Sequence, residues 1–449
     1  MAADTAGVLE RAATLIDPLG GLISEVHELP RFSGYPRLFC FATDTEGLPA
    51  LRDAPGGDTL RLLPKLSGAG VSVDPREAEL RAVGETIERY CMSRYAPEQF
   101  IHASARELGG AALDLDRIAR CAPWEPAVRS GQFALPDKDA RVRWVKGVSL
   151  MDGRRVLIPA IMVYLYFPPE TPAENFWIPI STGCAFHEDL TQALLGGLCE
   201  VIERDALALT WLHQLPLAEF ELGDPARWPA RFREQMSLMR RSGLELRFFD
   251  ATSDLGVPTV YTLQMCDHTR LLANLVISAT RVRAWQALTR TVEEGCSSRL
   301  ALDSRLATGG LDPRYRERPE LLHELEDCAL FYAERERRAD FAFLLEGSER
   351  RPVEALPDLA SGSPAGELVR VLERLRRRGY EAYAVDLTTP EVRAAGFWVV
   401  RVLVPQLVPM SPAHAIRFLD SPRLYEAPPA MGFGARTPAD ITSKPQPFA

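Results

Sequence analysis

Apolar positions between residues 74 and 90 recur with the period of an α-helix. These positions are Leu80, Val83, Ile87 and Tyr90. Asp74, Pro75 and Glu77 stand just before them, which is the arrangement of an N-cap, a proline at the first helical position and a capping-box glutamate. The pattern therefore predicts a helix that begins after Asp74.

Beyond this helix, long amphipathic stretches alternate with apolar runs at residues 259–266, 272–278 and 397–405. This alternation predicts an α/β (mixed α+β) fold in which sheets are flanked by helices. The apolar run 156–167 contains Pro159 and is too short to span a membrane, so it is predicted to be a buried strand. Glu and Arg at helical spacing over residues 315–338 predict a solvated surface helix.

The chain divides by composition into three parts. Residues 1–64 are predicted to form an N-terminal lobe, with a strand at 37–42 and a Gly/Pro/Asp-rich stretch at 53–58. Residues 65–410 carry the alternating pattern of the main domain. Residues 411–449 are rich in proline, so an extended tail that can reach a distant site is predicted, with a disordered end as the alternative.

On the first predicted helix, Glu85, Glu88 and Arg89 share one face because they are three and four residues apart. The same E-x-x-E-R pattern returns 115 positions later, and its members are Glu200, Glu203 and Arg204. Each motif could be an ordinary surface ion pair between residues one turn apart. The residues that flank the second motif are apolar on almost every side of the predicted helix, which favours burial of its charges instead.

A third predicted helix, residues 284–302, holds Glu293, Glu294, Arg290 and Arg299. Buried carboxylates are costly unless they are compensated, and each E-x-x-E-R motif has two carboxylates for one guanidinium. A hard divalent cation with oxygen ligands would neutralise the excess, and Mg²⁺ fits best. Three such helices predict a site where Mg²⁺ and arginines hold phosphates.

Composition and charge exclude several other classes of protein. The formal net charge is −9 and the basic residues are scattered, so we expect no nucleic-acid partner. The eight cysteines form no CxxC pair and no zinc-like spacing, so they are expected to be reduced, buried thiols. The N-terminus lacks signal-peptide features, and no run is long enough for a membrane span, so we expect a cytoplasmic protein with no membrane contact.

No P-loop and no protein-kinase signature is present, so a nucleotide would bind in an uncommon way. The stretch Ser-Gly-Ala-Gly at residues 67–70 could offer backbone N–H groups to phosphate, although a glycine-rich stretch before a helix is more often just a turn.

Taken in order, three segments resemble the signature of the YcaO family. The first runs from the Gly-rich turn at residue 67 to Tyr90, and the second from residue 181 to Ala206, which resembles the version found in the azoline-forming D proteins (the SagD-like type). The third, residues 294–299, is similar to the family motif E-A-A-Q-S-R. Ala69, Ala82 and Ser297 stand where many members have Lys, Ser and Gln.

The resemblance implies an ATP site that the matching residues line. By that resemblance Mg²⁺ and the phosphates would be held by Glu85, Glu88, Glu200, Glu203 and Glu294. The nucleotide would also contact Arg89, Arg204, Ser297 and Arg299. The Pro-rich end, with Pro447 and Ala449, is similar to a terminus that reaches the active site in this family, so these two residues are predicted to act at the catalytic centre.

The reaction implied is ATP-dependent cyclodehydration of a ribosomally made precursor peptide, in which Cys, Ser or Thr becomes thiazoline or (methyl)oxazoline. A separate ThiF-like partner that binds the leader peptide is expected, since no leader-binding module is recognisable here, and residues 1–64 are a candidate docking surface. A flavin-dependent azoline dehydrogenase is a further candidate partner, and a homodimer is expected.

Alternatives remain open at this point. The same ATP site could form thioamides or amidines, the chain could be a non-catalytic scaffold in a modification complex, or it could be an unrelated ATP-dependent ligase. His187 could transfer protons, although a structural role is the more common one for such a histidine. Cys184, Cys199 and Cys296 lie within the motifs but lack a neighbouring base, which favours packing over nucleophilic chemistry.

Overall fold

The computed structural model describes residues 5–30, 35–45, 66–269 and 272–448. The stretch predicted at 53–58 and the terminal Ala449 lie outside these residues. The helices are α1 Thr5–Ala12, α2 Pro75–Met92, α3 Ala105–Leu108, α4 Pro126–Arg129, α5 Leu190–His213, α6 Ala230–Arg241, α7 Ala284–Ala307, α8 Arg314–Glu317, α9 Leu325–Ala333, α10 Ala342–Leu345, α11 Pro364–Arg377, α12 Pro390–Ala394 and α13 Arg423–Ala430. The strands are β1 Glu25–Glu28, β2 Phe39–Asp44, β3 Ala69–Ser72, β4 Ile101–Ser104, β5 Arg141–Ser149, β6 Arg155–Pro159, β7 Cys184–His187, β8 Glu219–Glu221, β9 Glu245–Asp250, β10 Thr259–Met265, β11 Asn274–Thr280, β12 Arg350–Pro352, β13 Tyr383–Asp386 and β14 Trp398–Leu403.

Three sheets carry the helices. Their strand orders are β1-β2-β3, β11-β10-β9-β8-β12 and β4-β5-β13-β14-β7, with β6 paired to β5. Strands β8 and β12 pair in parallel, whereas β10 pairs antiparallel with both β9 and β11. Every residue of β10 and β11 is buried, including polar residues such as Gln264 and Asn274. The predicted α/β (mixed α+β) fold is confirmed.

The strands predicted at 37–42, 259–266, 272–278 and 397–405 correspond to β2, β10, β11 and β14, each within two residues at either end. Strand β2 pairs with β3, so the first sheet joins residues on both sides of the predicted boundary at residue 64. That boundary stays a prediction.

Two parts of the chain repeat one strand, cap and helix unit at a separation of 115 positions. Strand β3 is followed by Asp74, whose side chain accepts from the N–H groups of Arg76 and Glu77 at the start of α2. Strand β7 is followed by Asp189, whose side chain accepts from Gln192 at the start of α5. Because each E-x-x-E-R motif follows its cap at the same distance, the two motifs occupy equivalent places on α2 and α5.

Glycines allow these helices to lie directly on the neighbouring backbone. A Cβ atom at Gly70 would lie 2.0 Å from the carbonyl oxygen of Ala78 in α2. At Gly183, where φ is +85°, a Cβ atom would lie 2.3 Å from the carbonyl oxygen of Val402 in β14. Any larger side chain at either position would push the helix units apart.

Three predictions of local structure are wrong in part. The run 156–167 is buried, but strand β6 ends at Pro159, which has no N–H to continue the ladder. Residues 315–338 do not form one surface helix, because the segment holds α8 and α9, and α9 packs its apolar residues against β11. The segment 411–449 is not extended throughout, since α13 forms within it and buries Leu424 and Ala427.

No helix among the described residues is long and apolar enough to cross a membrane. All eight cysteines are buried and free, as the sequence predicts.

Candidate active site

Three helices bring the predicted glutamates close enough to influence one another. Helix α2 carries Glu85 and Glu88, α5 carries Glu200 and Glu203, and α7 carries Glu294. The charge of Glu200 acts to raise the pKa of both Glu88 and Glu203, and Glu294 acts on Glu203 in the same direction. The five carboxyl groups therefore form one electrostatic cluster.

Backbone N–H groups fix the first glutamate of each E-x-x-E-R motif. Ala69 donates to Oε2 of Glu85 at 2.7 Å, and Gly183 donates to Oε2 of Glu200 at 2.8 Å. Each donor lies in the turn or strand just before the same helix, so the first glutamate is held within its own unit.

The second glutamate of each motif is held by the next unit along the chain. Phe186 in β7 donates its N–H to Oε1 of Glu88 at 2.7 Å. Thr280, the last residue of β11, donates its N–H to Oε2 of Glu203 at 3.0 Å. Strand β11 and helix α7 form a third unit of strand and helix, and these two bonds join the three units around the carboxylates.

Burial raises the pKa of Glu88 to about 8, and the charges of Glu200 and Glu85 add to this effect against the Phe186 N–H. Burial likewise raises the pKa of Glu203 to about 8, although Arg204 and Arg281 act in the opposite direction. Both carboxyl groups would thus hold a proton near neutral pH unless a cation takes its place.

Glu294 differs from these two because guanidinium groups surround it. Burial acts to raise its pKa, but Arg290, Arg281 and Arg204 lower it overall. The Nε of Arg290 donates to Oε1 of Glu294 at 2.5 Å. Glu294 therefore stays ionised, in contrast to Glu88 and Glu203.

Arg89 and Arg204 each pair with the glutamate one turn earlier. Arg89 donates from Nη2 to Oε1 of Glu85 at 2.6 Å, and Arg204 donates from Nη2 to Oε1 of Glu200 at 3.3 Å. Arg204 also lies 3.6 Å from Oε1 of Glu203. The simple ion-pair interpretation thus describes Glu85 and Glu200, but it leaves the half-buried Glu88 and the buried Glu203 without full compensation.

A bound Mg²⁺ fits this uncompensated charge in a particular way. Among the described residues, no three Asp, Glu, His or Cys side chains come together as a ready-made metal site. Mg²⁺ is commonly held by one or two carboxylates, with phosphate oxygens and water completing its octahedron. The cluster suits that mode, in which nucleotide phosphates supply part of the coordination. Which of the five glutamates touch metal stays a prediction.

Glu293, next to Glu294, faces away from this cluster and serves the packing of helices. It accepts from Nη1 of Arg81 at 2.6 Å, from Nη2 of Arg231 at 2.6 Å and from Nε2 of Gln235 at 2.8 Å. Its side chain is only 2% exposed. It therefore ties α2, α6 and α7 together.

Arg299 is turned away from the glutamates as well. Its Nη1 donates to the carbonyl oxygen of Leu272 at 2.6 Å, while its buried Nε and Nη2 have no hydrogen-bond partner in the part of the chain that the structure describes. The half-buried Ser297 lies one turn after Glu294 on α7. The nucleotide contacts of both residues stay predictions.

The backbone N–H groups of the Gly-rich turn at 67–70 already have protein partners. The N–H of Gly68 donates to the hydroxyl groups of Thr43 and Thr86, at 2.9 Å each, and that of Ala69 donates to Glu85. This turn therefore positions Glu85 rather than presenting those N–H groups to phosphate.

His187 has a structural contact, since its Nδ1 accepts from the Asp189 N–H at 2.9 Å. Burial lowers its pKa in spite of Glu188 and Asp189. The pKa of each thiol within the motifs is raised by burial, and Cys184, Cys199 and Cys296 are fully enclosed. Buried neutral thiols fit the packing role.

The C-terminal segment ends beside Arg204. Phe448 forms a parallel bridge with Val276 at the free edge of β11, and its ring lies 4.4 Å from the Arg204 guanidinium. Upstream, the hydroxyl of Tyr332 donates to the carbonyl oxygen of Pro445 at 2.7 Å. The buried Pro447 therefore lies close to the cluster. Catalytic roles for Pro447 and Ala449 stay predictions.

Two arginines near the cluster did not emerge from the sequence as site residues. Arg281 follows Thr280 directly and lowers the pKa of Glu203 and Glu294. Arg401 is buried in β14 and lies near Glu200. A lone arginine within the apolar run 397–405 was the available signal for Arg401.

Comparisons with known proteins agree with this geometry. The family model described as YcaO cyclodehydratase, ATP- and Mg²⁺-binding, matches residues 69–408. The first curated relative is an uncharacterised protein in the tfuA 3′ region of Rhizobium leguminosarum bv. trifolii, 30% identical over 229 residues, which are 50% of each chain. The chain thus matches about half the length of that relative.

Solved structures share the fold. A heterocyclase in complex with substrate and cofactor superposes with a TM-score of 0.80 at 21% identity, over 99% of this chain and 57% of the other. YcaO from Methanopyrus kandleri, bound with AMPPCP and Mg²⁺, gives 0.62 at 17% identity, over 90% of each chain. A chain of the Escherichia coli microcin synthetase McbBCD complex gives 0.65 at 16% identity, over 96% of this chain and 98% of the other.

Proposed function

The chain belongs to the YcaO family, whose description names ATP and Mg²⁺, and from that premise we propose that it is a peptide cyclodehydratase. It phosphorylates a backbone amide oxygen of a ribosomally made precursor peptide. A neighbouring Cys, Ser or Thr residue becomes a thiazoline or (methyl)oxazoline.

The observation that carries this proposal is the cluster of five carboxyl groups on α2, α5 and α7. The half-buried Glu88 and the buried Glu203 have raised pKa values, and Glu294 stays ionised among three arginines. Such a cluster suits a ligand that combines a divalent cation with phosphate groups, because the carboxylates can pair with the cation and the guanidinium groups with the phosphates. Glu88, Glu203 and Glu294 would hold Mg²⁺ and water, whereas Arg204 and Arg281 would face phosphate oxygens.

The proposed reaction begins with the side chain of the substrate residue that will close the ring. The thiol or hydroxyl of the substrate adds to the preceding carbonyl carbon and loses its proton, which leaves an oxyanion. That oxygen takes the γ-phosphoryl group of ATP and leaves as inorganic phosphate when the amide nitrogen loses its proton and the C=N bond forms. The cation and guanidinium groups stabilise the charge on the transferred phosphoryl group.

Partners are part of the proposal. One neighbour in fold is a subunit of the microcin synthetase McbBCD complex, and another was solved with its substrate. We propose that a ThiF-like protein presents the precursor peptide to this chain. Homodimer formation and a flavin-dependent azoline dehydrogenase partner stay further proposals.

The test combines Mg-ATP, a precursor peptide encoded beside this protein's gene and its ThiF-like partner. The expected result is a loss of about 18 Da for each modified residue, with phosphate released in equal number. ATP turnover without this mass change would favour thioamide or amidine formation, or a ligase. No turnover of either kind, with the correct partner present, would favour the scaffold alternative.

A further inference from the structure

A small cavity lies beside the carboxylate cluster, and two arginines from different parts of the chain line it. Arg204 comes from α5 and Arg401 from β14. The cavity holds about 30 Å³, which is space for about two water molecules at ~10–15 Å³ each. The rest of its wall is mostly apolar and includes Met162, Trp177, Leu403 and Val408. The charged side chains at this space are therefore the two arginines.

Arg401 is buried without the anionic partner that a guanidinium group requires. It is 2% exposed, and its Nη1 donates to the carbonyl oxygen of Ile180 at 2.7 Å. Its Nε is buried with no hydrogen-bond partner, and no carboxylate forms an ion pair with it within the described ranges. Burial lowers the pKa of Arg401 to about 10, so the group remains charged at neutral pH. An unpaired buried charge is costly, which indicates an anion that is supplied from outside the chain.

The acidic groups that act electrostatically on Arg401 are Glu200 and Cys184, and both already have other partners. Oε1 of Glu200 accepts from Arg204, and Oε2 accepts from a backbone N–H of the preceding turn. Cys184, which pairs with Arg401 across β7 and β14, donates its thiol to the carbonyl oxygen of Glu88 at 3.9 Å. Neither group is therefore free to pair with Arg401.

Arg204 has an unmet donor as well. Its Nε is buried without a partner in the part of the chain that the structure describes, while its Nη2 donates to Oε1 of Glu200 at 3.3 Å. The Nε–H groups of Arg204 and Arg401 therefore both require an acceptor. The cavity is the space that these two side chains share.

We propose that this cavity binds a single small anion of the halide class, such as chloride, which accepts hydrogen bonds from Nε of Arg204 and Nε of Arg401. The cavity is too small for a phosphate group, so this ion is distinct from the phosphates proposed to bind at the glutamates. Water would also fit, but only an anion offsets the charge of Arg401. The site does not depend on the proposed function. Through Arg204 the ion would hold in place a guanidinium that also contacts Glu200 and Glu203.

Crystals of the wild-type protein grown in sodium bromide test the assignment directly, because bromide can replace chloride and is detected by its anomalous scattering. An anomalous peak is expected in the cavity, within about 3.5 Å of Nε of Arg401. A cavity that holds only water would overturn the proposal. Peaks confined to the protein surface would show an adventitious ion only and would overturn it as well.

Thermal melting tests whether the ion also binds in solution. At equal ionic strength, replacing sodium acetate by sodium chloride should raise the melting temperature of the wild type by about 2 °C. This rise should disappear in Arg401→Gln, whose neutral side chain needs no anion. It should persist in Arg377→Gln, the matched control at an exposed position of α11.

Equal melting of the wild type in the two salts would overturn the proposal even if a bromide peak were present, since the crystal would then hold an adventitious ion only. An unchanged rise in Arg401→Gln would overturn it too. If Arg401→Gln does not fold, the bromide peak and the salt comparison of the wild type decide the question together.

Discussion

The N–H of Thr280, at the end of β11, donates to Oε2 of Glu203 on α5 at 3.0 Å. This contact joins the third helix unit to the second, and it mirrors the contact between Phe186 and Glu88 that joins the second unit to the first. Both acceptors have raised pKa values; Glu203 is buried and Glu88 is half-buried. The fold therefore places two incompletely neutralised carboxylates at the junctions between its repeated units.

Replacing Glu203 by Gln should remove activity without loss of fold. The amide oxygen can still accept from Thr280, but the charge that attracts Mg²⁺ is gone. We expect peptide turnover to fall by about 100-fold or more, and the melting temperature to stay the same or rise. Mass spectrometry of the peptide and thermal melting measure these effects. Glu373→Gln, on the exposed face of α11, should leave both unchanged; equal turnover by the two variants would contradict the role of Glu203.

The protein without Mg²⁺ should lose stability as the pH rises from about 5 to about 8 through these two groups. Their pKa lies near 8 in the folded protein against 4.5 ordinarily, so folding retains protons that the unfolded chain has lost. Their contribution is present in full below the ordinary pKa and is lost as the pH approaches the folded value.

Mg²⁺ with AMPPCP should therefore raise the melting temperature more at pH of about 8 than at about 6, because the protons no longer compete with the cation. Thermal melting over this pH range measures the difference. In Glu203→Gln the pH dependence should flatten. A stabilisation by Mg-AMPPCP that is independent of pH would contradict this account of the cluster.

Replacing either of two adjacent glutamates of α7 by Gln should affect different properties: Glu293→Gln mainly stability, and Glu294→Gln mainly nucleotide binding. Glu293→Gln removes the buried carboxylate that Arg81 and Arg231 share and leaves both paired with the more exposed Glu77, so the free energy of unfolding should fall by about 3 kcal/mol. Glu294→Gln should cost about 1 kcal/mol but weaken Mg-nucleotide binding at least about 10-fold. Urea unfolding and calorimetric titration separate the two effects. If a folded Glu293→Gln protein lost nucleotide affinity and Glu294→Gln did not, the roles given to the two glutamates would be reversed.

Gly183→Ala should destabilise the protein more than Gly153→Ala does. Both glycines have positive φ angles, +85° and +76°, but only a Cβ at Gly183 meets other atoms, the Val402 carbonyl oxygen at 2.3 Å among them. Backbone strain alone should cost about 1 kcal/mol at Gly153, and the clash should add about 2 kcal/mol at Gly183. Urea unfolding measures the difference, and equal losses would show that α5 can shift away from β14 at no cost.

Phe448→Ala should lower peptide turnover several-fold and should also lower the free energy of unfolding, because the ring is 4% exposed and packs within a hydrophobic cluster. The ring covers Arg204 at 4.4 Å, and such a contact contributes about 1 kcal/mol when partly buried. Steady-state kinetics with a saturating partner measure this effect. Phe433→Ala, further from the chain end, serves as the control. Equal kinetics in wild type and Phe448→Ala would show that the tail has no role at the site.

The sequence predicts the three helices and the main strands because caps and periodicity are local signals. Asp74 caps α2 as expected, and the structure shows that Asp189 caps α5 in the same way. The repeated E-x-x-E-R motif is also local, so its placement on equivalent faces could be anticipated. The confirmed α/β architecture and the family resemblance both rest on these segments.

Other features depend on contacts between distant residues. Sequence spacing cannot show that Glu293 faces Arg81 and Arg231 while Glu294 faces the cluster, because neighbouring helical positions differ only in what packs against them. The apolar run 328–333 lies within a charged stretch, so the burial of α9 against β11 was missed. Arg401 belongs to no motif; it stands out as a single arginine within the apolar run 397–405, but only the packing of β14 shows that it lies near Glu200.

The origin of the oxygen in the released phosphate tests the central claim most directly. A precursor peptide is made with the heavy oxygen isotope at the carbonyl that precedes the reacting residue, and it is treated with the protein, its partner and Mg-ATP. If the amide oxygen is phosphorylated, the label should appear in inorganic phosphate in the same amount as the rings formed. Rings formed while the phosphate stays unlabelled would contradict the account.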